Sequence, residues 1–401
     1  MLLRASPVDR IDDLYFVSPS YRRFNQKFDV FSRSTWDPRI KRLRGEDLPL
    51  RVSKRIEGGE EGFKLEDYAL MQGAWTVTVF AEWETGNRGL LSWRPVSFDV
   101  NPSSVILFQS VRKGRGYVWK GGPGEASMIV KRAALAYGAG MVGVCELDRR
   151  WVYSHQWNRE AMREKEVVFE DVDEPYETDD KYVIPEDVRY AVVMVVPMDV
   201  EMLKLSPTPI ADAATGLGYS RAVALAASLA EFIRGLGYTA IPCVNDTALS
   251  IPLAISAGLG QLGRSGLLIT PKYGPAVRIC KVLTSLPLAP DRPVDYGITS
   301  FCEKCTRCAE SCPVGAISFG ERTTEARTIS NNPGVLKWPI DPEKCISYWM
   351  QNGLSCSTCI RVCPFTRVNR VGKPGEWWEM EKEDEKERGA RVEARSRWVE
   401  G

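Results

Sequence analysis

Eight of the eleven cysteines in this 401-residue chain fall between residues 302 and 363, at spacings that suit one kind of chemistry. The first run reads Cys302-EK-Cys305-TR-Cys308-AES-Cys312-Pro313. The second reads Cys345, ten intervening residues, then Cys356-ST-Cys359-IRV-Cys363-Pro364. In the spacing C-x2-C-x2-C-x3-C-P, three thiolates wrap one iron–sulfur cube and the fourth, before proline, reaches the neighbouring cube. The second run is a variant with its first cysteine moved upstream. On that rule Cys302, Cys305, Cys308 and Cys363 hold one [4Fe–4S] cluster, and Cys312, Cys345, Cys356 and Cys359 hold the other. Disulfide frameworks belong to short secreted chains. Zinc sites favour separated cysteine pairs or histidines, and this chain has one histidine. Two adjacent clusters move electrons.

The elements upstream must supply a reaction centre for those electrons. Residues 1–120 are mixed and aromatic-rich, with strand-like pieces at Thr76–Phe80 and Ser104–Phe108. From Pro123 the pattern becomes regular. Apolar residues at helical spacing follow Glu125 and stop at Gly138, and Met141–Leu147 reads as a buried strand. Residues 166–187 are acidic and broken by prolines, which predicts a surface loop. Tyr190–Val196 reads as a strand, Ser220–Arg234 as a helix stopped at Gly235, and Tyr238–Val244 as another strand. Strands alternating with helices predict an α/β layer architecture. The predicted organisation is an N-terminal region 1–120, an α/β unit 121–290, a two-cluster domain 291–370 and a charged extension 371–401.

Composition narrows the partners. A net charge of +1 gives no field for nucleic acid or an anionic membrane. No apolar run of about 18 residues is present to span a bilayer. Tyr21-Arg22-Arg23-Phe24 looks like a twin-arginine export motif, but NQKFDVFSR follows with no hydrophobic stretch, so the arginines read as an exposed basic pair. Hydrophobic residues make up 44% of the chain, and twelve tryptophans furnish an aromatic pocket. Trp75, Trp83, Trp93, Trp119 and Trp338 are candidate walls. Cys145, Cys243 and Cys280 sit in apolar strand-like surroundings and read as buried packing.

Gly258-L-Gly260-QL-Gly263 satisfies G-x-G-x-x-G. The dinucleotide fingerprint also requires a preceding strand, a following helix and an acid about 20 residues on. Ile251-PLAISA precedes the glycines here, a strand-like GLLIT follows, and Lys272, Arg278 and Lys281 stand downstream. The glycines therefore predict a close approach of the backbone to something else, such as a large planar or phosphate-bearing cofactor.

The stretch Ala257-GLGQLGRSGLLITPKYGPAVRICKVLTSLPL, together with the cysteine runs, closely resembles the corrinoid-dependent reductive dehalogenases. So do Tyr68-ALMQGAWTV, Gly86-NRGLLSW, Lys131-RAALAYGAGMVGVCELDRRWVYS and Asn332-PGVLKW, in order, from about residue 20 to about 370. The resemblance implies a nitroreductase-like domain that binds cobalamin base-off, followed by a bacterial-ferredoxin-like domain with two [4Fe–4S] clusters. It implies cleavage of a carbon–halogen bond beside a tyrosine, an amide and an arginine, which align with Tyr219, Asn245 and Arg278. A phenol can donate the proton if its phenolate is stabilised, a guanidinium favours that anion, and an amide can donate to the departing halide. Gly258, Gly260, Gly263 and Trp338 become candidate cofactor contacts. His155 is the lone histidine and no D-x-H-x-x-G element is present, which agrees with cobalt that carries no protein imidazole.

The implied partners are a small organohalide and a low-potential donor such as a ferredoxin, a flavodoxin or a quinol-linked carrier. A small membrane-anchor subunit and a homodimer are compatible with the family. As it stands the chain reads as cytoplasmic, or as extracytoplasmic if a twin-arginine leader was removed. Two rival functions remain. Epoxyqueuosine reductase shares the cofactor set, but a basic face for tRNA and a helical-repeat extension are missing. A plain electron carrier would leave the aromatic, glycine-dense upstream part without a task.

Overall fold

The computed structural model describes residues 5–83, 90–93, 118–159 and 161–366. Ser104–Phe108 and the charged extension fall outside these residues, as does the side chain of Trp83. The helices that matter for the site are α1 (Val30–Trp36), α2 (Leu65–Trp83), α3 (Pro123–Ala136), α4 (Pro209–Gly235), α5 (Ser250–Ser256), α6 (Ile298–Lys304) and α7 (Pro342–Asn352). The main strands are β1 (Met141–Glu146), β2 (His155–Asn158), β3 (Arg163–Glu170), β4 (Tyr176–Glu177), β5 (Lys181–Pro185), β6 (Tyr190–Pro197), β7 (Ala240–Cys243) and β8 (Val277–Thr284). Among the described residues no helix is long and apolar enough to cross a membrane.

The central sheet has the order β1-β6-β8-β7, with every neighbouring pair antiparallel. Strand β6 reads YAVVMVVP and buries six of its eight residues, because both of its faces are covered. Val192, Met194 and Val196 join Cys280 and Val282 of β8 beneath Ala222, Val223 and Ala226 of α4. The alternate residues Val193 and Val195 join Leu283 on the other face, against Leu253 and Ala254 of α5. One residue of register therefore decides whether a β8 side chain points to α4 or to α5. Arg278 lies on the α4 side and Lys281 on the α5 side. Cys145, Cys243 and Cys280 are buried in these layers, and burial pushes all three thiols up.

Three expectations change. Thr76–Phe80 is part of α2, not a strand. Its β-branched residues read as strand, yet burial recurs at Ala74 and Thr78, four apart, while Thr76, Val77 and Val79 are exposed. Ser220 Oγ donates to the Ala74 carbonyl at 2.7 Å and meets Thr78 Oγ1 at 3.1 Å, which locks α2 on α4. Residues 166–187 are not a loop. They supply β3, β4 and β5 to a second sheet of order β2-β3-β5-β4, in which β3 and β5 pair in parallel. Val167, Val183 and Ile184 are fully buried, and the acidic neighbours masked that pattern. Helix α4 begins at Pro209, not Ser220, capped by Thr208, whose Oγ1 accepts from Ala211 N.

The basic pair also divides. Arg22 is exposed, whereas Arg23 donates to the carbonyls of Val152, Tyr153 and Val167 and ties the N-terminal segment to the second sheet. Arg33 of α1 is completely buried and bridges Asp37 at 2.7 Å and Glu343 of α7 at 2.5 Å. Helix α7 carries Cys345, so this bridge braces a cluster ligand from the N-terminal side. Arg33→Ala leaves Asp37 with Arg39 as its remaining partner and returns the part-exposed Glu343 to water, so it is expected to cost about 1–3 kcal/mol in chemical denaturation.

Candidate active site and cluster centres

All eleven cysteines are free thiols, and eight of them form two electrostatic neighbourhoods. Cys363 feels Cys302, Cys308 and Cys305, and Cys308 feels Cys302 and Cys305. Cys345 feels Cys356 and Cys312, and Cys359 feels Cys356, Cys345 and Cys312, with Cys308 of the other group. The structure thus brings Cys363 to the first run and Cys312 to the second. Burial pushes the thiols up, Cys308 to about 11 and Cys345 and Cys363 to about 12. Thiols so placed ionise when iron binds them, so the donor set fits clusters ligated by thiolate. Among the described residues no three His, Cys, Asp or Glu side chains converge on a single ion. Ala316 N donates to Cys312 Sγ at 3.2 Å.

Tyr219 lies in the middle of α4, one turn after Thr215 and two after Asp212. Its ring packs against Trp75 of α2, with centroids 5.7 Å apart. The Arg278 guanidinium stands over the same ring at 4.9 Å, which puts a permanent positive charge beside the phenol. Arg278 donates to Thr215 Oγ1 at 3.1 Å and to its neighbour's carbonyl, Val277 O, at 3.4 Å. Among the described residues its buried Nε has no hydrogen-bond partner. An orphaned donor beside a candidate proton donor suits a polar group brought by a ligand.

Two glycines make this arrangement possible. A Cβ at Gly216 would meet the Trp75 ring at 2.8 Å, and one at Gly218 would meet Arg278 Cγ at 2.9 Å. Glycine is unfavourable inside a helix by about 1 kcal/mol, which is why the sequence pattern pointed to a helix starting only at Ser220. Gly218→Ala improves helix propensity, but Arg278 Cγ and Met198 Cγ must both give way. The expected outcome is a melting temperature lowered by a few degrees with turnover about 10- to 100-fold lower.

Asn245 is exposed in the loop after β7. The β7–β8 ladder ends at Lys281↔Cys243, so Asn245 leaves the sheet at the end where Arg278 enters it. Among the described residues its amide has no hydrogen-bond partner, and it bonds to neither Tyr219 nor Arg278. The loop around it is firmly held. Asp246 Oδ1 accepts from Val244 N at 2.7 Å, and Thr247 adopts φ +62°, a strained value for a β-branched residue. Lys281, fully buried, donates to Val244 O at 2.7 Å and Ser250 Oγ at 3.1 Å.

Sequence reasoning missed Asp212, which joins this region to the second quartet. Asp212 is 6% exposed, and Ser355, next to Cys356, donates to it from both Oγ and backbone N. Burial raises the carboxyl's pKa, and the Ser355 and Trp75 hydrogen bonds oppose that shift. An aspartate among the small apolar residues of PIADAATG was its only sequence signal.

The glycine loop has a different surrounding from a dinucleotide site, since helix α5 precedes it. A Cβ at Gly258 would meet Arg292 O at 2.6 Å, at Gly260 Ile269 O at 2.4 Å, and at Gly263 Ile269 Cδ1 at 2.4 Å. The chain's own backbone and Ile269 make the close approach, which accounts for the glycines without a ligand. Trp338 is buried beside Cys302, with Arg264 and Arg322 over its ring. Trp93 is core, stacked on Tyr182, and Trp119 packs under α4.

Residues 42–288 match the family model for the reductive dehalogenase subunit, and residues 301–366 match that for a 4Fe-4S dicluster domain. Tetrachloroethene reductive dehalogenase of Sulfurospirillum multivorans is 37% identical over 377 residues, covering 88% of this chain and 70% of that protein. A solved reductive dehalogenase, described as suggesting a mechanism for B12-dependent dehalogenation, superimposes with a TM-score of 0.60 at 23% identity. That match covers 92% of this chain and 45% of the solved one, so this chain spans under half of the solved protein's length. A shorter match, 32% identical over 147 residues and 36% of this chain, is to epoxyqueuosine reductase of Lactococcus garvieae. The matching model covers more than half of the chain, and the relative is similar along most of it: this chain belongs to the reductive dehalogenase family.

Proposed function

We propose that this chain is an oxidoreductase that replaces the halogen of a small organohalide by hydrogen, with cobalamin bound base-off and two [4Fe–4S] clusters. The observation that carries this reading is the Tyr219–Arg278 contact. Arg278 Nε has no partner among the described residues, and Tyr219 sits on the helix that Asp212 fastens to the second cysteine quartet. Bound cobalamin supplies the low-valent cobalt that breaks the carbon–halogen bond, chemistry that protein side chains lack.

The side chains supply the rest. Conversion of carbon–halogen to carbon–hydrogen consumes two electrons and a proton and releases halide. Tyr219 Oη gives the proton, and Arg278 stabilises the phenolate that remains. Thr215 fixes the guanidinium, and the orphaned Nε is free to meet a polar group of substrate or cofactor. Asn245, at the same end of the sheet, donates to the departing halide. The two quartets would hold the clusters that relay electrons from a low-potential carrier, and the Ser355–Cys356 segment of the second is bonded to α4. Trp75 walls the site against water.

The test is anaerobic reconstitution of the full chain with iron, sulfide and cobalamin. Paramagnetic resonance is followed by halide release from tetrachloroethene and a panel of halogenated alkenes and phenols. A base-off cobalt(II) signal, two reducible clusters and stoichiometric halide are expected. Clusters without bound cobalt, or bound cobalt without halide release from any substrate, would defeat the reading.

A further inference from the structure

Arg264 follows the glycine loop and is 3% exposed, yet among the described residues its guanidinium meets no carboxylate. All six of its hydrogen bonds go to main-chain carbonyls. Nε reaches Cys302 O and Cys305 O, each at 3.0 Å. Nη1 reaches Ser318 O at 2.9 Å and Gly320 O at 3.0 Å. Nη2 reaches Cys302 O at 2.8 Å and Glu303 O at 3.3 Å. One face of the group lies over Trp338, 4.8 Å from the ring centroid. The Glu303 carboxylate pairs with Arg322 instead, at 3.1 Å.

A buried cation is strongly unfavourable unless an opposite charge answers it. Carbonyl dipoles and an aromatic face answer part of the charge on Arg264. The rest must come from the other side of the loop, where the first quartet stands. A cluster ligated by four thiolates is a net anion, and reduction makes it more negative, so a fixed cation beside it favours the reduced state. Lysine could bring the charge but not the planar fork that spans five carbonyl-bearing residues.

We propose that Arg264 is the buried counter-cation of the first cluster: its fork fastens the Cys302–Cys305 segment to the α/β unit, and its charge raises that cluster's reduction potential. This rests on the two-cluster reading. It makes Arg264 a positioning and tuning residue for electron transfer, not a catalytic one.

The test uses the reconstituted full chain, with Arg264→Gln and Arg264→Lys beside the parent. Iron and sulfide content and redox-poised paramagnetic resonance are measured for each, and Cys308→Ser assigns the first cluster's signal. Arg264→Gln is expected to weaken reduction of the first cluster at least tenfold, about 59 mV for one electron, leaving the second cluster in place. Arg264→Lys is expected to keep the parental midpoint. A loaded Arg264→Gln variant with both midpoints unmoved overturns the proposal. If Arg264→Gln does not load the first cluster, Arg264→Lys decides. A parental midpoint supports the proposal, and a midpoint shifted tenfold, or failure to load, reduces Arg264 to a folding residue and overturns the tuning role. A parent that lacks two cluster signals instead refutes the two-cluster reading beneath it.

Discussion

Tyr219→Phe is expected to lower dehalogenation turnover by about 10²–10⁴-fold, the usual contribution of a positioned general acid. The substitution removes one oxygen and keeps the ring that Trp75 and Arg278 touch, so the surroundings should hold. Halide release under saturating reductant reads the loss. The cluster and cobalt signals should match the parent, and KM should change much less than kcat. A loss of less than about tenfold, with cofactors loaded, would remove Tyr219 from the proton path and leave water to supply the proton. Arg278→Lys adds a second comparison. It retains a charge near the phenol but cannot keep the bond to Thr215 and also present a free Nε, so its defect should be intermediate.

The cysteines give an all-or-none result with a crossed pattern. Cys308→Ala and Cys363→Ala are expected to remove the same cluster, although Cys363 is far along the chain and Cys312 is only four residues from Cys308. Cys312→Ala and Cys359→Ala should remove the other. Each variant should lose turnover to background, because one missing relay interrupts the electron supply. Cluster-selective loss is read by the paramagnetic resonance of the remaining centre and by iron content. If Cys308→Ala and Cys312→Ala instead deplete the same centre, the quartets are wired by sequence neighbourhood and the crossing is wrong.

The ligand runs were legible because a cluster imposes its spacing locally: Cys302, Cys305 and Cys308 sit within a few residues of one another. Strands β1, β6 and β7 were legible for a similar reason, since buried strands of a covered sheet must be continuously apolar. Tyr219, Asn245 and Arg278 were not readable from residue type; they came from resemblance to a family. Asp212 and Arg264 escaped notice because their partners lie 143 and 38 or more residues away, and no local pattern announces such pairings. Thr76–Phe80 was misread because packing on α4 overrode the strand preference of β-branched residues. The true start of α4 was hidden by Gly216 and Gly218, whose reason is an incoming tryptophan and an incoming arginine. Residues that serve the site thus broke the local rules the fold otherwise obeys.

Asp212, Thr215 and Tyr219 occupy one stripe of a single helix, about 10 Å from first to last at 1.5 Å per residue. On the proposed reading, the tie to the second cysteine quartet and the proton donor are therefore mounted on the same rod. Their separation does not depend on how two domains happen to sit on a given microsecond. That spacing is inherited with the helix, while Arg278 and Asn245 come from β8 and the loop after β7. Such a layout lets the pocket walls on other elements change without rebuilding that tie.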